Sequence, residues 1–259
     1  MGFSSVIESS YNSITVSIVS HGQGKLVAAL LDDLSRCPGV SAVILTQNIP
    51  EAEIDCPESL RPRLHLIRND RPEGFSANHN QAFRYCRTSL FAVVNPDIRL
   101  DGDPFPELAT ALETCNAGMI APAVRSPEGN LEDSARHFPT PTGLFRKILG
   151  RGDGRVTINE QTPQAVDWAA GMFMLFRQDA FRSIDGFDEG FFLYYEDADI
   201  CTRLWKAGIR VYLHPGISVI HAAQRASRRK PRYMAWHISS MLRYFRKHAW
   251  RLPQQRPQQ

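Results

Sequence analysis

The chain has 259 residues, 43% of them hydrophobic and 22% charged, with a formal net charge of +3. This is ordinary globular composition with room for one sizeable α/β core, and no run approaches the roughly 20 apolar residues of a membrane-spanning helix. Five widely spaced cysteines (Cys37, Cys56, Cys86, Cys115 and Cys201) contain no Cys-x-x-Cys pair, which argues against a disulfide framework or a zinc site and for reduced core thiols.

Residues 1–8, Met-Gly-Phe-Ser-Ser-Val-Ile-Glu, lack the basic and apolar regions of a signal peptide, so a cytoplasmic protein is expected. The β-branched run Ile14-Thr-Val-Ser-Ile-Val19 reads as a buried opening strand. Helical spacing over residues 26–34 and a second strand over 40–45 complete a βαβ start. A third strand is expected over 64–67, a helix over 76–86 behind the turn Pro72-Glu-Gly-Phe75, and an apolar fourth strand over 90–94 ending at Asn95-Pro96-Asp97. Ser20, Asn48, Asn69 and Asp97 all fall at carboxyl ends of these strands, where open α/β sheets bind their ligands. Residues 125–165 are rich in Gly, Pro and charge and read as a long loop or subdomain covering the site. A buried strand is expected over 167–176, a helix over 197–207 stopped by Gly208, and two short strands over 210–213 and 218–221.

The segment from Gly186 to Arg203 is the richest in chemistry. Phe187, Phe191, Phe192, Tyr194 and Tyr195 precede Glu196, Asp197 and Asp199 at a helix start. The helix dipole alone favours acids there by about 0.3–1 kcal/mol each, but the aromatic flank places these at the edge of a packed pocket. Asp199 and Arg203 stand at i and i+4, a spacing that suits an intrahelical ion pair as well as a substrate contact. Asn95-Pro96-Asp97 suits either an ordinary turn or the carboxylate grip of a hard divalent cation on a substrate phosphate. His21-Gly-Gln-Gly-Lys25 lacks phosphate-loop spacing, no Gly-x-Gly-x-x-Gly follows the first strand, and no Gly-x-Ser-x-Gly elbow occurs. P-loop, dinucleotide-cofactor and serine-hydrolase chemistries are thereby set aside.

Charge is distributed unevenly. Residues 200–259 contain no Asp or Glu and 13 of the 30 Lys and Arg, leaving 17 bases with all 27 acids before them, so the body carries about −10 and the tail +13. Arg225, Arg228, Arg229, Lys230 and Arg232 lead into a helically spaced mixture of aromatic and basic residues over 233–250. This pattern suits a helix on an anionic membrane surface, with a helix packed on the body or a nucleic-acid contact as alternatives.

In combination, Ser20-His21 after the first strand, Pro72-Glu-Gly-Phe-Ser-Ala-Asn78, Asn95-Pro96-Asp97, Trp168-Ala-Ala-Gly171, Tyr195-Glu-Asp-Ala-Asp199 with Arg203, and His221 carry a family likeness. Over residues 14–225 the chain resembles the family 2 inverting glycosyltransferases of GT-A fold, most of all the rhamnosyltransferase branch. The resemblance implies an α/β domain over 12–222 around a mixed, mostly parallel sheet, with a Rossmann-like nucleotide-binding half (12–100) and an acceptor half (101–222). A basic amphipathic helical extension (223–251) and a disordered tail (252–259) would follow.

It further implies a donor side at Ser20, His21, Asn48, Asn69, Asn78, Asn95 and Asp97, and a Mg2+ or Mn2+ ion held by Asp97 and His221. Asn95 replaces the first acid of the Asp-x-Asp motif, which removes one charge. Asp197 would be the general base with Glu196 beside it, and Trp168, Gly171, Asp199 and Arg203 would face the acceptor. An acceptor hydroxyl must attack from the face opposite the nucleotide while a carboxylate takes its proton, and a single displacement inverts the anomeric centre. The implied donor is dTDP-rhamnose, with a UDP-hexose or UDP-N-acetylhexosamine as the alternative. The implied acceptor is a saccharide or polyprenyl-diphosphate-linked sugar for cell-surface polysaccharide, reached through peripheral membrane contact of the basic tail, with no nucleic acid expected. A contrasting reading is a non-catalytic nucleotide-sugar or lipid-binding partner, for which Asn95 is the support and intact Asp97, Glu196 and Asp197 the objection.

Overall fold

The computed structural model describes residues 13–150, 154, 156, 162–222, 231–248 and 251–253. The N-terminal stretch, the basic cluster Arg225–Lys230 and most of the Gln- and Pro-rich end lie outside the described residues.

The apolar runs form strands and the amphipathic stretches pack against them. Strand β1 (Ile14–Ser20) is followed by α1 (Gly24–Ser35), β2 (Val40–Gln47), β3 (Leu64–Arg68), α2 (Phe75–Phe83) and β4 (Leu90–Val94). Each of these strands runs parallel to its neighbour in the order β3-β2-β1-β4, as βαβ connections require. The second half adds β5 (Ile98–Arg99), α3 (Phe105–Thr114), β6 (Ala117–Arg125), β7 (Ala135–Arg136), α4 (Pro141–Ile148), β8 (Gln164–Ala165), β9 (Trp168–Ala169), β10 (Phe173–Arg177), α5 (Gln178–Ser183), α6 (Glu196–Lys206), β11 (Arg210–His221) and α7 (Pro231–His248). The main sheet is ordered β3-β2-β1-β4-β10-β6-β11-β5, with β8 on β11, while β7 and β9 form a separate ribbon. Strands β10, β5 and β8 oppose the rest, so the sheet is mixed and mostly parallel.

Two readings change in the structure. The stretch 167–176 is two strands, because Ala170–Met172 leave the ladder where the chain passes the carboxylate cluster. The stretches 210–213 and 218–221 are one strand with an irregularity between His214 and Ser218. Strand β6 and helices α3 and α5 carried no expectation, yet β6 lies between β10 and β11 near the centre of the sheet. Residues 125–165 include a hairpin, strand β7 of the two-stranded ribbon, α4 and β8.

Helix α7 is docked on the body. Tyr244 is fully buried and bonds Thr202 Oγ1 of α6 at 2.9 Å, and Ser240 Oγ donates to the Leu193 carbonyl at 2.9 Å. Arg243 and Lys247 both donate to Asp188, at 2.8 and 2.6 Å. Burial alone would raise the Asp188 carboxyl, but bonds from Lys247, the Gly190 N–H and Arg243 outweigh it and leave the pKa at about 2. Leu252 packs on the same Phe191, Ala198 and Tyr244 cluster, so the start of the expected disordered tail is folded. Among the described residues no helix is long and apolar enough to cross a membrane.

Candidate active site

The carboxyl ends of β1, β2, β3 and β4 lie side by side, and there the expected donor-side residues gather. Asn48 is the hub. Its Oδ1 accepts from the Glu73 N–H at 2.8 Å and from Asn69 Nδ2 at 2.9 Å, while its Nδ2 donates to the Glu73 carbonyl at 2.9 Å. Asn69 Nδ2 also donates to Asn78 Oδ1 at 2.7 Å, and Asn78 Nδ2 to the Gly74 carbonyl at 3.0 Å. The three amides thus fix the loop 69–74 and spend most of their capacity on the protein. Asn48 and Asn78 are buried, so they shape the wall of the site. His21 is exposed, with Nδ1 3.4 Å from Asn48 Nδ2.

Ser20 Oγ donates to Glu51 Oε2 at 2.9 Å, and Glu51 Oε1 is buried with no partner. Glu51 was missed in the sequence. Its signal was an acid just beyond β2, four residues past the stretch 45–47 at the end of that strand.

The turn at Asn95-Pro96-Asp97 is tied on both sides. The Asn95 N–H donates to the Met172 carbonyl at 2.9 Å and the Ala222 N–H to the Asp97 carbonyl at 2.8 Å. Strand pairing of His221 with Ile98 then sets Asp97 Oδ2 3.1 Å from His221 Nε2. Asp97 Oδ1 is buried and without a partner. On the far side of the imidazole, Nδ1 lies 2.8 Å from Glu132 Oε2. Asp97 first, and Glu132 second, hold the imidazole above its ordinary pKa against the opposing effect of burial. Glu132 lies in the aperiodic stretch after β6 and had no signal in the sequence. Among the described residues no three His, Cys, Asp or Glu side chains converge as a ready cage. One carboxylate with an unpartnered oxygen and one imidazole suit Mg2+ or Mn2+, which take much of their coordination from phosphate and water.

The acceptor-side motifs meet across α2 and α6. Tyr194 and Tyr195 both have positive φ, 72° and 66°, a conformation that costs non-glycine residues of order 1–2 kcal/mol each. The turn is held from both sides. The Phe75 N–H at the start of α2 donates to the Phe192 carbonyl at 2.9 Å, and Ser240 of α7 grips Leu193. Gly74 allows this approach, since a Cβ there would fall 2.7 Å from the Phe192 carbonyl oxygen. Strained backbone over-determined by its surroundings is a recurring property of functional sites.

That turn releases Glu196 and Asp197 into α6. Asp197 is part-buried and accepts from the Ala198 N–H at 2.8 Å and the Gly171 N–H at 3.1 Å. Burial raises its pKa, while those two N–H groups and the charge of Arg136 oppose the rise. Glu196 is 6% exposed, its Oε2 has no partner, and burial with the adjacent Asp197 charge pushes its pKa well up. Asp197, which has the N–H donors, is therefore the acid that ionises first. Trp168 is half-buried and anchored by Nε1 to the His137 carbonyl at 3.0 Å. A Cβ on Gly171 would lie at ordinary contact distance, 3.5 Å, from both Asp197 Cβ and Phe75 Cζ. Glycine there leaves open space beside the carboxylate.

Asp199 and Arg203, expected on the acceptor side, are engaged with the protein. Asp199 is fully buried, and its oxygens take bonds from Arg203 Nε, His248 Nε2 and Lys247 Nζ, each at 2.7 Å. Arg203 spends its other nitrogens on the Ile184 and Gly186 carbonyls, both at 2.6 Å. These bonds lock α7 and the 184–186 turn onto α6.

Comparison with known proteins adds to this geometry. The family description Glycosyl transferase family 2 matches residues 46–185, and a second, N-terminal domain of galactosyltransferase, matches residues 161–228. The chain is 28% identical over 247 residues to rhamnosyltransferase WbbL of Escherichia coli (strain K12), covering 89% of this chain and 92% of that protein. It is 31% identical over 176 residues to the N-acetylglucosaminyl-diphospho-decaprenol L-rhamnosyltransferase of Mycobacterium tuberculosis, covering 62% of this chain and 57% of the other. In three dimensions it is similar to GalNAc-T7 solved with UDP, GalNAc and Mn2+ (TM-score 0.67, 15% identity, 90% of this chain and 48% of that one). It is also similar to mannosyltransferase PcManGT from Pyrobaculum calidifontis with GDP-Man and Mn2+ (TM-score 0.62, 16% identity, 94% and 66%). These neighbours have the GT-A fold.

Proposed function

The chain belongs to glycosyl transferase family 2, and from that premise we propose that it moves rhamnose, with inversion, from a nucleotide diphosphate to a lipid-linked saccharide during cell-surface polysaccharide assembly. The observation that carries this reading is the placement of Asp197. Its part-buried carboxylate is anchored by the Gly171 N–H, three residues along the chain from the half-buried Trp168, so it can accept a proton while the Trp168 ring offers the sugar an apolar platform. Asp197 takes the proton of the attacking hydroxyl as the new bond forms, since an ionised carboxylate is too weak a base to do so beforehand.

Asp97 and His221 are the residues that would hold a divalent ion, and the unpartnered Asp97 Oδ1 fits that role. When bound, such an ion supplies charge neutralisation to the departing diphosphate. On the donor side, the unpartnered Glu51 Oε1 suits the imide N–H of uracil or thymine, so the rhamnose preference rests on the two rhamnosyltransferase relatives.

A thermal-shift panel of nucleoside diphosphates and their sugars, with and without Mg2+ or Mn2+, tests the reading. Stabilisation of about 2.7 kcal/mol is expected at a hundredfold excess of ligand over its Kd. Metal-dependent stabilisation by dTDP or UDP is the expected result. No shift with any nucleotide at millimolar concentration would move the chain to a non-catalytic role.

Membrane contact belongs to the face of α7 turned away from the body. Met234, Ile238 and Leu242 recur every four residues and are 60%, 46% and 60% exposed, with Arg232 and Arg246 also exposed on the helix. Such a stripe with basic flanks fits the interface of anionic lipid. Ile238→Glu with Leu242→Glu is expected to weaken sedimentation with phosphatidylglycerol vesicles by about tenfold or more, because it removes apolar insertion and adds repulsion. Unchanged sedimentation would rule this surface out.

A further inference from the structure

We propose that Glu132 is a positioning residue for the metal site, its carboxylate fixing the His221 imidazole so that Nε2 is presented toward Asp97. The inference rests on the metal reading above and goes beyond it, since it assigns a task to the first turn of the 125–165 region.

The three side chains stand in line: Glu132 Oε2 lies 2.8 Å from His221 Nδ1, and Asp97 Oδ2 lies 3.1 Å from Nε2. The ring separates the two acids, so Glu132 cannot join Asp97 on one ion. What it can do is accept the Nδ1 proton, which frees Nε2, the nitrogen facing Asp97, to turn its lone pair to a cation when one enters. A carboxylate in that place also makes the imidazole a stronger donor to a cation.

Glu132 is built in by its backbone. Its N–H donates to the Val124 carbonyl at 2.7 Å, and its carbonyl accepts from the Ser134 N–H at 2.9 Å. The intervening hairpin is closed by Ser126 N–H to Asn130 O and Gly129 N–H to Ser126 O, each at 2.8 Å. Strand β6 pairs in parallel with β11, on which His221 is carried, so the acid and the imidazole are indexed to each other through adjacent strands. The Glu132 side chain is 27% exposed and that of His221 16%, dry enough for orientation to hold and open enough for truncation to be tolerated.

The test uses the full chain and reads free Mn2+ by electron paramagnetic resonance, titrated with each of UDP, dTDP and GDP. Wild type is expected to show a site that Asp97→Asn removes. Glu132→Ala should weaken Mn2+ binding by about 10–100-fold, and Glu132→Gln should retain most of it, because its amide oxygen still accepts from Nδ1. On a His221→Ala background, Glu132→Ala should add nothing. In the metal-free protein, nitrogen NMR of His221 should report a protonated Nδ1 in wild type and Glu132→Gln and a shift to the Nε2–H form, bonded to Asp97, in Glu132→Ala, with Glu132→Ser as the second truncation should the alanine variant melt early. Wild-type affinity in Glu132→Ala, or a further loss on the His221→Ala background, would overturn the proposal. Absence of any Asp97-dependent Mn2+ site in wild type would overturn the metal reading itself, a result distinct from both.

Discussion

Asp197→Asn is expected to lower kcat by about 10²–10⁴-fold, the usual worth of a positioned general base, while nucleotide affinity stays near wild type. The Gly171 and Ala198 N–H groups bond different oxygens of the carboxylate; the amide oxygen keeps one of these bonds and, because the side chain is isosteric and part-buried, the fold should survive. What is lost is the capacity to take a proton. The pH profile gives a second reading of the same group. Burial raises the pKa of Asp197, and the active form is the ionised one. The rate should therefore fall on the acid side at a pH above that of an ordinary aspartate, and this limb should vanish from the residual activity of the asparagine variant. Steady-state kinetics with a matched nucleotide-binding measurement checks both. A variant keeping most of its kcat would remove Asp197 from the base role.

Tyr244→Ala should destabilise the protein by about 3–5 kcal/mol, as expected for deleting a fully buried aromatic ring. At this chain length the melting temperature should fall by about 10 °C. Tyr244→Phe loses only the bond to Thr202 and should cost about 1 kcal/mol. Thermal unfolding of the three proteins distinguishes the cases, and an alanine variant melting within about 2 °C of wild type would mean that α7 is not part of the cooperative unit. The expected loss has a consequence for function, because Ser240 of the same helix holds Leu193 in the strained turn before Glu196. Removing residues 225–259 would also strip Lys247 and His248 from the buried Asp199. Such a truncation damages the body along with any membrane contact, which is why the surface substitutions at Ile238 and Leu242 are the sharper probe.

The Asp188 clamp adds an acid dependence with a definite sign. Its folded pKa, at about 2, is depressed below the ordinary value of 3.8. Its contribution is complete above the unfolded value and is lost as pH falls from near 4 toward 2.

Much of the first half was legible because local pattern and tertiary role agree there. The runs at 14–19, 40–45 and 90–94 are buried strands whatever surrounds them, and Asn95-Pro96-Asp97 could only end one. Strand β6 was not legible, since Gly118 and Pro122 both argue against a central strand. Its neighbours make the exceptions workable. Gly118 is pressed against Ile209, whose Cγ2 would lie 2.0 Å from a Cβ, and Pro122 pairs with His214 beside the irregularity of β11, where the ladder is already interrupted. Neither neighbour is near in sequence.

The acid cluster shows where the boundary falls. Sequence alone determined that an aromatic segment delivers Glu196, Asp197 and Asp199 to the start of a helix, because aromatic run, acids and helical spacing are local properties. Only the tertiary structure decided what each acid touches. Two residues along an α-helix turn a side chain by about 200°, so Asp197 faces the Gly171 N–H and the site, while Asp199 faces His248 and Lys247 of a helix some fifty residues later in the chain.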